Sequence, residues 1–393
     1  MYKIKHLLII LTVLLLSSCM FINPKNKDLV MSEFYTEDYF NGAPSRIQVW
    51  DTTLYPEGHE FWTDIEEIMQ EIQDTFQTDI KFFDDDTPLP LEKQSELYQL
   101  NFSAGSGTPF KCSEDLYEVI KISIEYAQKT NGKLDPTIGP LVDLWDINKR
   151  NYQEVEIPSK SDIESLLPII DYRLIELNNE EKTVLLKEEG MKLNLGAISK
   201  GYAADKIHEY LKKNNIKHAI INLGGNVYAL GNKYDKSKWN IALANPFINY
   251  SLESDNSDLN NSFSSTSTLS YFGIVSVIDK TVVTSGIYER YVIDIDTGKR
   301  YSHILDPDTG YSVDNNLISV TIIASNSALA DALSTSTFAL GLYDGLKLVE
   351  TLENVEAIFL TKDKKVYTTS GIDQYDFRLS IDDISLENVN EHL

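Results

Sequence analysis

The chain has 393 residues, enough for one large domain or two ordinary ones, and its formal net charge is −25. Such an acidic chain is a poor partner for nucleic acid or anionic lipid, because both attract basic surfaces. Apart from Cys19 the only cysteine is Cys112, so the sequence excludes an internal disulfide in a mature chain and a Cys/His cluster for zinc or iron–sulfur chemistry.

The N-terminus has the pattern of an export signal. Lys3 and Lys5 precede an apolar run over residues 7–16, which is short for a membrane span. The ending Leu-Ser-Ser-Cys resembles a bacterial lipobox, which implies cleavage before Cys19 and lipidation of its sulfur; the alternative is an ordinary signal with a chance cysteine. We predict a signal peptide over residues 1–18, a tether over 19–40 and a lipid-anchored protein on the extracytoplasmic face of the cell membrane.

The first half of the chain alternates short strands with amphipathic helices. Apolar residues spaced three and four apart predict the helices, and Asn131-Gly132 predicts the end of one of them. The predicted elements are a strand over 46–51, helices over 61–78, 114–130 and 161–167, and an acidic, proline-containing loop over 81–90.

The middle predicts a strand–turn–helix–strand unit over residues 191–195, 196–201, 202–213 and 218–223. Further strands are predicted over 239–244, 273–278 and 291–295. Residues 248–270 are rich in Ser and Asn and indicate a flexible surface insertion.

The stretch over residues 301–338 carries the main candidates for a catalytic and metal-binding site. His303 precedes an Asp-Pro-Asp-Thr-Gly turn, residues 317–324 predict a strand, and a helix follows with Asp331 and Thr335 one turn apart on one face. A carboxylate and a hydroxyl so placed are half of an oxygen site for a hard cation, although a solvated Asp and a capping Thr are the plainer interpretation of the spacing. A hairpin over 357–361 and 365–369 and an acidic tail over 373–393 complete the chain.

This order of elements favours an α+β fold with mixed or antiparallel sheets and packed helices in one domain, residues 41–372. Glycines and Lys200 at a predicted helix N-terminus favour a phosphate, but the segment is not a P-loop. Gly224-Gly225-Asn226 lacks the spacing of a Rossmann site.

Six segments occur in a recognisable order: LDPTIGPLVDLW (134–145), LNLGAISKGYAAD (193–205), INLGGNVYALG (221–231), TSGIYERY (284–291), YSHILDPDTGY (301–311) and ADALSTSTFALG (330–341). The series resembles the ApbE family, the FAD:protein FMN transferases, over about residues 41–341. The resemblance implies a magnesium-dependent enzyme that cleaves FAD and joins FMN by a phosphoester to a Thr or Ser of an acceptor protein, here an extracytoplasmic one, with release of AMP.

The resemblance also implies site residues. His303 would help to deprotonate the acceptor hydroxyl, and magnesium would be held by the side chains of Asp331 and Thr335 and by the main-chain carbonyl of Ser199. Positions that correspond to FAD contacts of the family are Asn41, Glu96, Leu97, Tyr98, Leu134, Asp135, Pro136, Gly196, Tyr202 and Leu305.

Departures from the family pattern carry their own expectations. Asn41-Gly42-Ala43 replaces Met-Gly-Thr, which alters the expected flavin-side contacts, and Asn194 replaces an aspartate, which removes a charge near the pyrophosphate. Ser334 stands where some relatives have a further carboxylate, so weaker magnesium binding is expected. Two alternatives share the predicted site: an FAD pyrophosphatase that uses water as acceptor, and a non-catalytic lipoprotein that only binds FAD or another solute.

Overall fold

The computed structural model describes residues 29–40, 42–83, 86–251 and 269–387. The predicted signal peptide, Cys19, Asn41 and most of the predicted insertion over 248–270 lie outside these residues. No helix in the described ranges is both long and apolar enough to cross a membrane.

The described part of the chain contains nine α-helices. They are α1 (Glu60–Phe76), α2 (Glu96–Phe102), α3 (Glu114–Lys129), α4 (Gly139–Trp145), α5 (Lys160–Leu166), α6 (Ser199–Lys213), α7 (Pro246–Ser251), α8 (Ser327–Leu340) and α9 (Leu342–Glu350). Short 3-10 helices lie at Leu91–Lys93, Leu167–Ile169, Tyr172–Leu174 and Ile372–Tyr375.

The strands fall into one large sheet and three small ones. In chain order they are β1 (Val30–Thr36), β2 (Ser45–Asp51), β3 (Phe110–Lys111), β4 (Glu154–Val155), β5 (Ile175–Asn178), β6 (Thr183–Leu186), β7 (Ala219–Leu223), β8 (Asn226–Leu230), β9 (Trp239–Ala244), β10 (Tyr271–Val277), β11 (Lys280–Gly286), β12 (Tyr291–Asp294), β13 (Arg300–Ser302), β14 (Leu317–Ala324), β15 (Glu356–Thr361), β16 (Lys365–Thr368), β17 (Arg378–Leu379) and β18 (Ser385–Leu386).

The large sheet has nine strands in the order β1-β2-β7-β8-β11-β14-β15-β16-β18. Its neighbouring strands are antiparallel except β16 and β18, which are parallel. The three small sheets are β17-β10-β9, β13-β12-β4 and β3-β6-β5. This architecture confirms the predicted α+β fold with mixed and antiparallel sheets.

Strand β14 lies at the centre of the fold because all eight of its residues are buried, on both faces of the sheet. Helix α8 follows it directly and is itself almost wholly buried, including polar residues such as Asp331 and Ser334. A buried helix with polar residues needs partners for them. The neighbouring elements that supply those partners, β11 and α6, also border the candidate site.

The core of the described part of the chain consists of two hydrophobic clusters. The larger joins the main sheet to helices that include α1, α3, α6 and α8. The smaller contains Leu141, Trp145, Ile163, Val292 and Leu305, from α4, α5, β12 and the segment after β13.

Three sequence predictions differ from the structure. Residues 30–36 form edge strand β1 instead of tether, and the alternation was not apparent because its buried positions are the polar residues Ser32 and Thr36. Residues 191–195 form no strand and make one bridge, from Lys192 to Ile138. The predicted tail packs on the domain as far as β18, because Tyr375, Ile381 and Ile384 are buried.

Candidate active site

A cavity of about 600 Å³ opens where the two hydrophobic clusters meet, since residues of both clusters line it. Its walls come from the N-terminus of α6, the middle of α8, the end of β11, the loop before α4 and the segment after β13. Nine of the predicted site residues line this cavity: Leu134, Asp135, Pro136, Gly196, Ser199, His303, Leu305, Asp331 and Thr335.

Asp331 and Thr335 lie on one face of α8 at one end of the cavity. Asp331 is 3% exposed, and its Oδ2 accepts a hydrogen bond from the Gly201 backbone N–H at 2.9 Å. Its Oδ1 accepts no hydrogen bond from the described residues. The Thr335 hydroxyl lies 3.1 Å from Ser285 Oγ, which lies 2.7 Å from Ser334 Oγ. Burial raises the pKa of Asp331, an effect opposed by the positive charge of Lys200.

Helices α6 and α8 touch through backbone atoms at this end. A Cβ on Gly201 would lie 2.2 Å from the carbonyl oxygen of Ser327, so only glycine permits this approach. Asp205, one turn further along α6, accepts hydrogen bonds from the backbone N–H groups of Ser327 and Ala328 at 2.9–3.0 Å. A carboxylate at free helical amides is favourable, and here it holds the start of α8 on α6.

Ser199 and Lys200 begin α6 at the cavity wall. The Ser199 N–H donates to the Leu195 carbonyl and the Gly201 N–H donates to Asp331, so within the described residues the Lys200 N–H is the amide at this helix end that remains available to a ligand. Lys200 is half-buried, and its ammonium makes no hydrogen bond or ion pair within the described residues. A cation held at a helix N-terminus suits a phosphate.

Asn226, at the start of β8, presents another polar group at the cavity. The residue is 1% exposed, and its Oδ1 accepts from Ser327 Oγ at 2.8 Å, which fixes the orientation of the amide. Its Nδ2 is buried and has no partner in the described part of the chain. Buried amides are normally paired, so this donor suits an oxygen atom of a ligand.

His303 lines the same cavity and is in a protonation state suited to a base. Its Nδ1 lies 3.2 Å from the Arg290 carbonyl, which also accepts from the His303 backbone N–H at 3.1 Å. Because a carbonyl can only accept, Nδ1 carries the proton and Nε2 keeps its lone pair. Burial and the positive charges of Arg290 and Lys200 lower the pKa of His303 to about 4. The ring is therefore neutral at pH 7.

Glu289 and Arg290 add opposite charges to the same wall. The Arg290 guanidinium donates to Asn148 Oδ1 at 3.0 Å, and Glu289 lines the cavity beside it. Burial raises the pKa of Glu289, opposed by Lys200 and Arg290. Positive and negative side chains therefore lie close together in this part of the cavity, with Lys200 and Arg290 near Glu289.

The loop before α4 forms the opposite wall. Asp135 is 6% exposed, and both its oxygens are used: Oδ1 accepts from the Thr137 N–H and hydroxyl at 2.8 and 2.6 Å, and Oδ2 accepts from the Tyr172 N–H at 2.9 Å. Its role in the structure is to hold the loop that places Leu134 and Pro136 on the cavity.

Asn194 occupies the position at which the family has an aspartate. Its Oδ1 accepts from the Gly196 N–H at 3.0 Å, so the turn before α6 keeps an oxygen acceptor without the charge.

Four predicted FAD contacts do not line the cavity. Glu96 accepts hydrogen bonds from Ser113, Leu97 is fully buried in the larger cluster, and Tyr98 lies on α2 beside it. Tyr202 is on the far side of α6, where its hydroxyl donates to Asp115 Oδ1 at 2.7 Å. Family correspondence places these residues near the ligand, whereas their observed contacts hold α2 and α6 to α3.

The metal-binding prediction fits the oxygen atoms present. No group of three or more His, Cys, Asp and Glu residues in the described ranges could hold a metal ion. A carboxylate oxygen without a partner and a neighbouring threonine hydroxyl are nevertheless the donor types that magnesium takes, with the remaining positions left to water and phosphate.

Several residues that line the cavity were not predicted from the sequence. Ser285, Asn226 and Glu289 lie in segments quoted for other reasons, and no local pattern marks their side chains as facing the cavity. A neutral histidine, a buried carboxylate with a free oxygen and an unpaired lysine in one cavity place the chain among enzymes.

Comparison with known proteins gives the family. The model of the ApbE family matches residues 43–359. An FAD:protein FMN transferase of Klebsiella pneumoniae is 33% identical over 277 residues, covering 70% of this chain and 78% of that protein. Another, from Treponema pallidum, is 34% identical over 291 residues and covers 71% and 74%. The chain belongs to the ApbE family.

Solved structures support the same fold. The flavin transferase ApbE from Vibrio cholerae has a TM-score of 0.71 at 23% identity, with 88% of this chain and 99% of that chain covered. The ApbE protein from Thermotoga maritima has a TM-score of 0.66 at 26% identity, with 87% and 99% covered.

Proposed function

We propose that this protein is a magnesium-dependent FAD:protein FMN transferase that joins FMN to a Thr or Ser hydroxyl of an extracytoplasmic acceptor protein and releases AMP. The observation that carries the proposal is the meeting of Asp331, Thr335, Lys200 and His303 in one cavity of about 600 Å³. Family membership supports the reaction, because the relatives are named for it.

The proposed reaction needs a base and charge neutralisation. The acceptor oxygen bonds to the phosphorus of the FMN half, the bond from that phosphorus to the AMP oxygen breaks, and the hydroxyl proton passes to His303 Nε2. The ammonium group and the backbone N–H of Lys200, at the N-terminus of α6, hold pyrophosphate oxygens, and Asn226 Nδ2 donates to a further ligand oxygen. Asp331 and Thr335, with the carbonyl of Ser199, would hold magnesium, which when bound neutralises pyrophosphate charge.

Incubation of the purified protein with FAD, magnesium and an acceptor peptide that contains an accessible threonine tests this proposal. Covalently flavinylated peptide and AMP in equal amounts are expected. Free FMN and AMP without labelled peptide would show a pyrophosphatase instead, and unchanged FAD would show a binding protein.

Lys200 provides a separate test of where FAD binds. Lys200→Met should weaken FAD binding by roughly 10- to 100-fold, because one charge-assisted contact to phosphate is lost. Lys212→Met, an exposed lysine at the other end of α6, is the matched control and should bind FAD normally. Equal affinities of the two variants, measured by flavin fluorescence, would place the pyrophosphate elsewhere.

Magnesium affinity tests the departure at Ser334. This residue is fully buried, and its hydroxyl contacts Ser285 Oγ and the Asp331 carbonyl, so it contributes no charge. We expect weak magnesium binding, measured by titrating activity against magnesium concentration, and tighter binding in Ser334→Asp. A tight site at sub-micromolar metal in the unaltered protein would contradict the expectation.

The proposed location rests on the sequence pattern around Cys19. Ten peptide units separate Cys19 from Leu29, so a lipid-anchored chain would hold the domain within about 35 Å of the membrane surface. Membrane fractionation should recover the protein with the membranes and release Cys19→Ala into the soluble fraction. Membrane retention of that variant would rule out the lipid anchor.

A further inference from the structure

A second pocket, of about 50 Å³, lies beside strand β13. Successive residues serve the two cavities: Ser302 lines this pocket, and His303 lines the active-site cavity. A single water needs roughly 10–15 Å³ of such volume, so the pocket has room for a few waters or one small tetrahedral ion.

Two lysines border the pocket and share one carboxylate. Asp314 Oδ2 lies 3.1 Å from Lys299 Nζ, and Asp314 Oδ1 lies 3.8 Å from Lys362 Nζ. The Asp314 side chain is 68% exposed, whereas that of Lys362 is only 23% exposed. The more buried ammonium group therefore has the longer contact, and its partner is largely in solvent. Burial lowers the pKa of Lys362, so its charge is incompletely compensated.

One of the residues that line the pocket, Ser302, carries a buried hydroxyl. Ser302 is 6% exposed, and its Oγ has no hydrogen-bond partner within the described residues. Its backbone carbonyl is occupied, since it accepts from Ser312 Oγ at 2.5 Å. A hydroxyl that is out of water and unpaired lacks an acceptor, and an anion oxygen would supply one.

We propose that this pocket binds a tetrahedral oxyanion of the phosphate or sulfate type. The ammonium groups of Lys299 and Lys362 and the hydroxyl of Ser302 are its donors. Arg300, whose guanidinium stacks at 4.7 Å over the Tyr291 ring, forms a further part of the wall. Asp314 competes with the anion for the lysines, and its exposure lets it move away. The site is separate from the one that would hold FAD, so it does not depend on the proposed function.

Binding of inorganic phosphate to the full-length protein, in EDTA and at constant ionic strength, tests the inference. The measurements are phosphorus NMR line width and the thermal midpoint against matched chloride. Lys362→Gln should weaken phosphate binding at least about tenfold, and Asp314→Asn should strengthen it. Lys365→Gln removes a neighbouring surface lysine and should leave phosphate binding unchanged.

The variants separate this pocket from the larger cavity. Phosphate that binds Lys362→Gln as tightly as the unaltered protein occupies another place, and that result would overturn the inference. Ser302→Ala is a second test that applies even if Lys362→Gln does not fold. It removes only the hydroxyl and should also weaken phosphate binding. Sulfate should compete with phosphate and acetate should not; equal competition by acetate would contradict the tetrahedral preference.

Discussion

The two ends of the active-site cavity are held in different ways. At the metal end, α6 and α8 meet through backbone atoms, with Gly201 against Ser327 and Asp205 on the start of α8. At the base end, the His303 ring is oriented by one carbonyl, that of Arg290. Steric contact therefore fixes the metal end, whereas a single hydrogen bond and the local charge tune the base end. Substitutions at the contact between α6 and α8 should alter the fold and the metal affinity. Substitutions at His303 should alter proton transfer.

The largest effect is expected at His303. A positioned base contributes roughly 10²- to 10⁴-fold to rate, so His303→Ala should lose that much of the transfer rate. Metal binding, measured by manganese paramagnetic resonance, should stay unchanged, because His303 is not one of the predicted metal ligands, Ser199, Asp331 and Thr335. Transfer at full rate by this variant would remove the base role and leave the metal end untouched.

Asp331→Asn should give the converse result. The amide oxygen can still accept from Gly201 N–H, so the fold should persist, but the charge that binds a cation is lost. We expect activity to fall by about 100-fold or more and manganese binding to weaken in parallel. Normal metal affinity in a folded Asp331→Asn protein would contradict the predicted metal site.

Gly201→Ala tests the steric contact between the helices. The added methyl group would overlap the Ser327 carbonyl oxygen at 2.2 Å and push α6 from α8. Overpacking of this kind costs about 1–3 kcal/mol, and metal affinity should fall with stability. Glu209→Ala, on the exposed face of the same helix, is the control and should leave both unchanged. An equally stable Gly201→Ala protein would show that the helices can separate freely.

The pH dependence of FMN transfer shows whether the pKa of His303 is lower than that of an ordinary histidine. With a His303 pKa of about 4, the neutral ring predominates above that pH. The rate of a single turnover should therefore show no loss on acidification from pH 8 to pH 5.5 that is due to this residue. A fall centred near pH 6.5 that disappears in His303→Ala would mean that its surroundings do not depress the pKa.

The smallest effect is expected from the titration of Asp205. Burial raises its pKa from 3.8 to about 6, although the amides of α8 oppose the shift. The folded state then binds more protons than the unfolded state between these values, so this residue's contribution to stability falls as pH rises from 4 to 6. We compare the free energy of unfolding of the unaltered protein with that of Asp205→Asn. The difference should increase by about 1–3 kcal/mol in favour of the unaltered protein when the pH is lowered from 7 to 4. Urea denaturation measures it, and a difference independent of pH would contradict it.

Sequence reasoning succeeded where a local period or spacing determines the geometry. The strand at 317–324 and the helix that holds Asp331 and Thr335 on one face follow from alternation and from helical repeat, and the structure has both. Which residues of separate elements meet at the cavity was harder to predict. Tyr202 follows Gly201 directly, yet a rotation of about 100° around the helix directs it to α3 instead of the cavity.

Long-range contacts explain the other differences. Nothing local marks Asn226 or Ser285 as cavity residues, because their placement depends on the pairing of β8 and β11. Strand β1 was not predicted, because its buried residues, Ser32 and Thr36, are polar and give no apolar alternation. The packed segment after residue 372 looked like a tail because acidic residues separate the few apolar ones, Tyr375, Ile381 and Ile384, that anchor it.

The order of strands in the large sheet has a consequence for how the chain folds. Strand β2 pairs with β7, Ser45 opposite Leu223, and the residues between these strands add no strand to that sheet. The sheet therefore cannot grow past β2 until the chain up to residue 223 is available, and contacts of such high sequence separation make folding slow. Until then the β7 side of β2 has no strand to pair with, and unpaired strand edges in an incompletely folded chain are sites of aggregation.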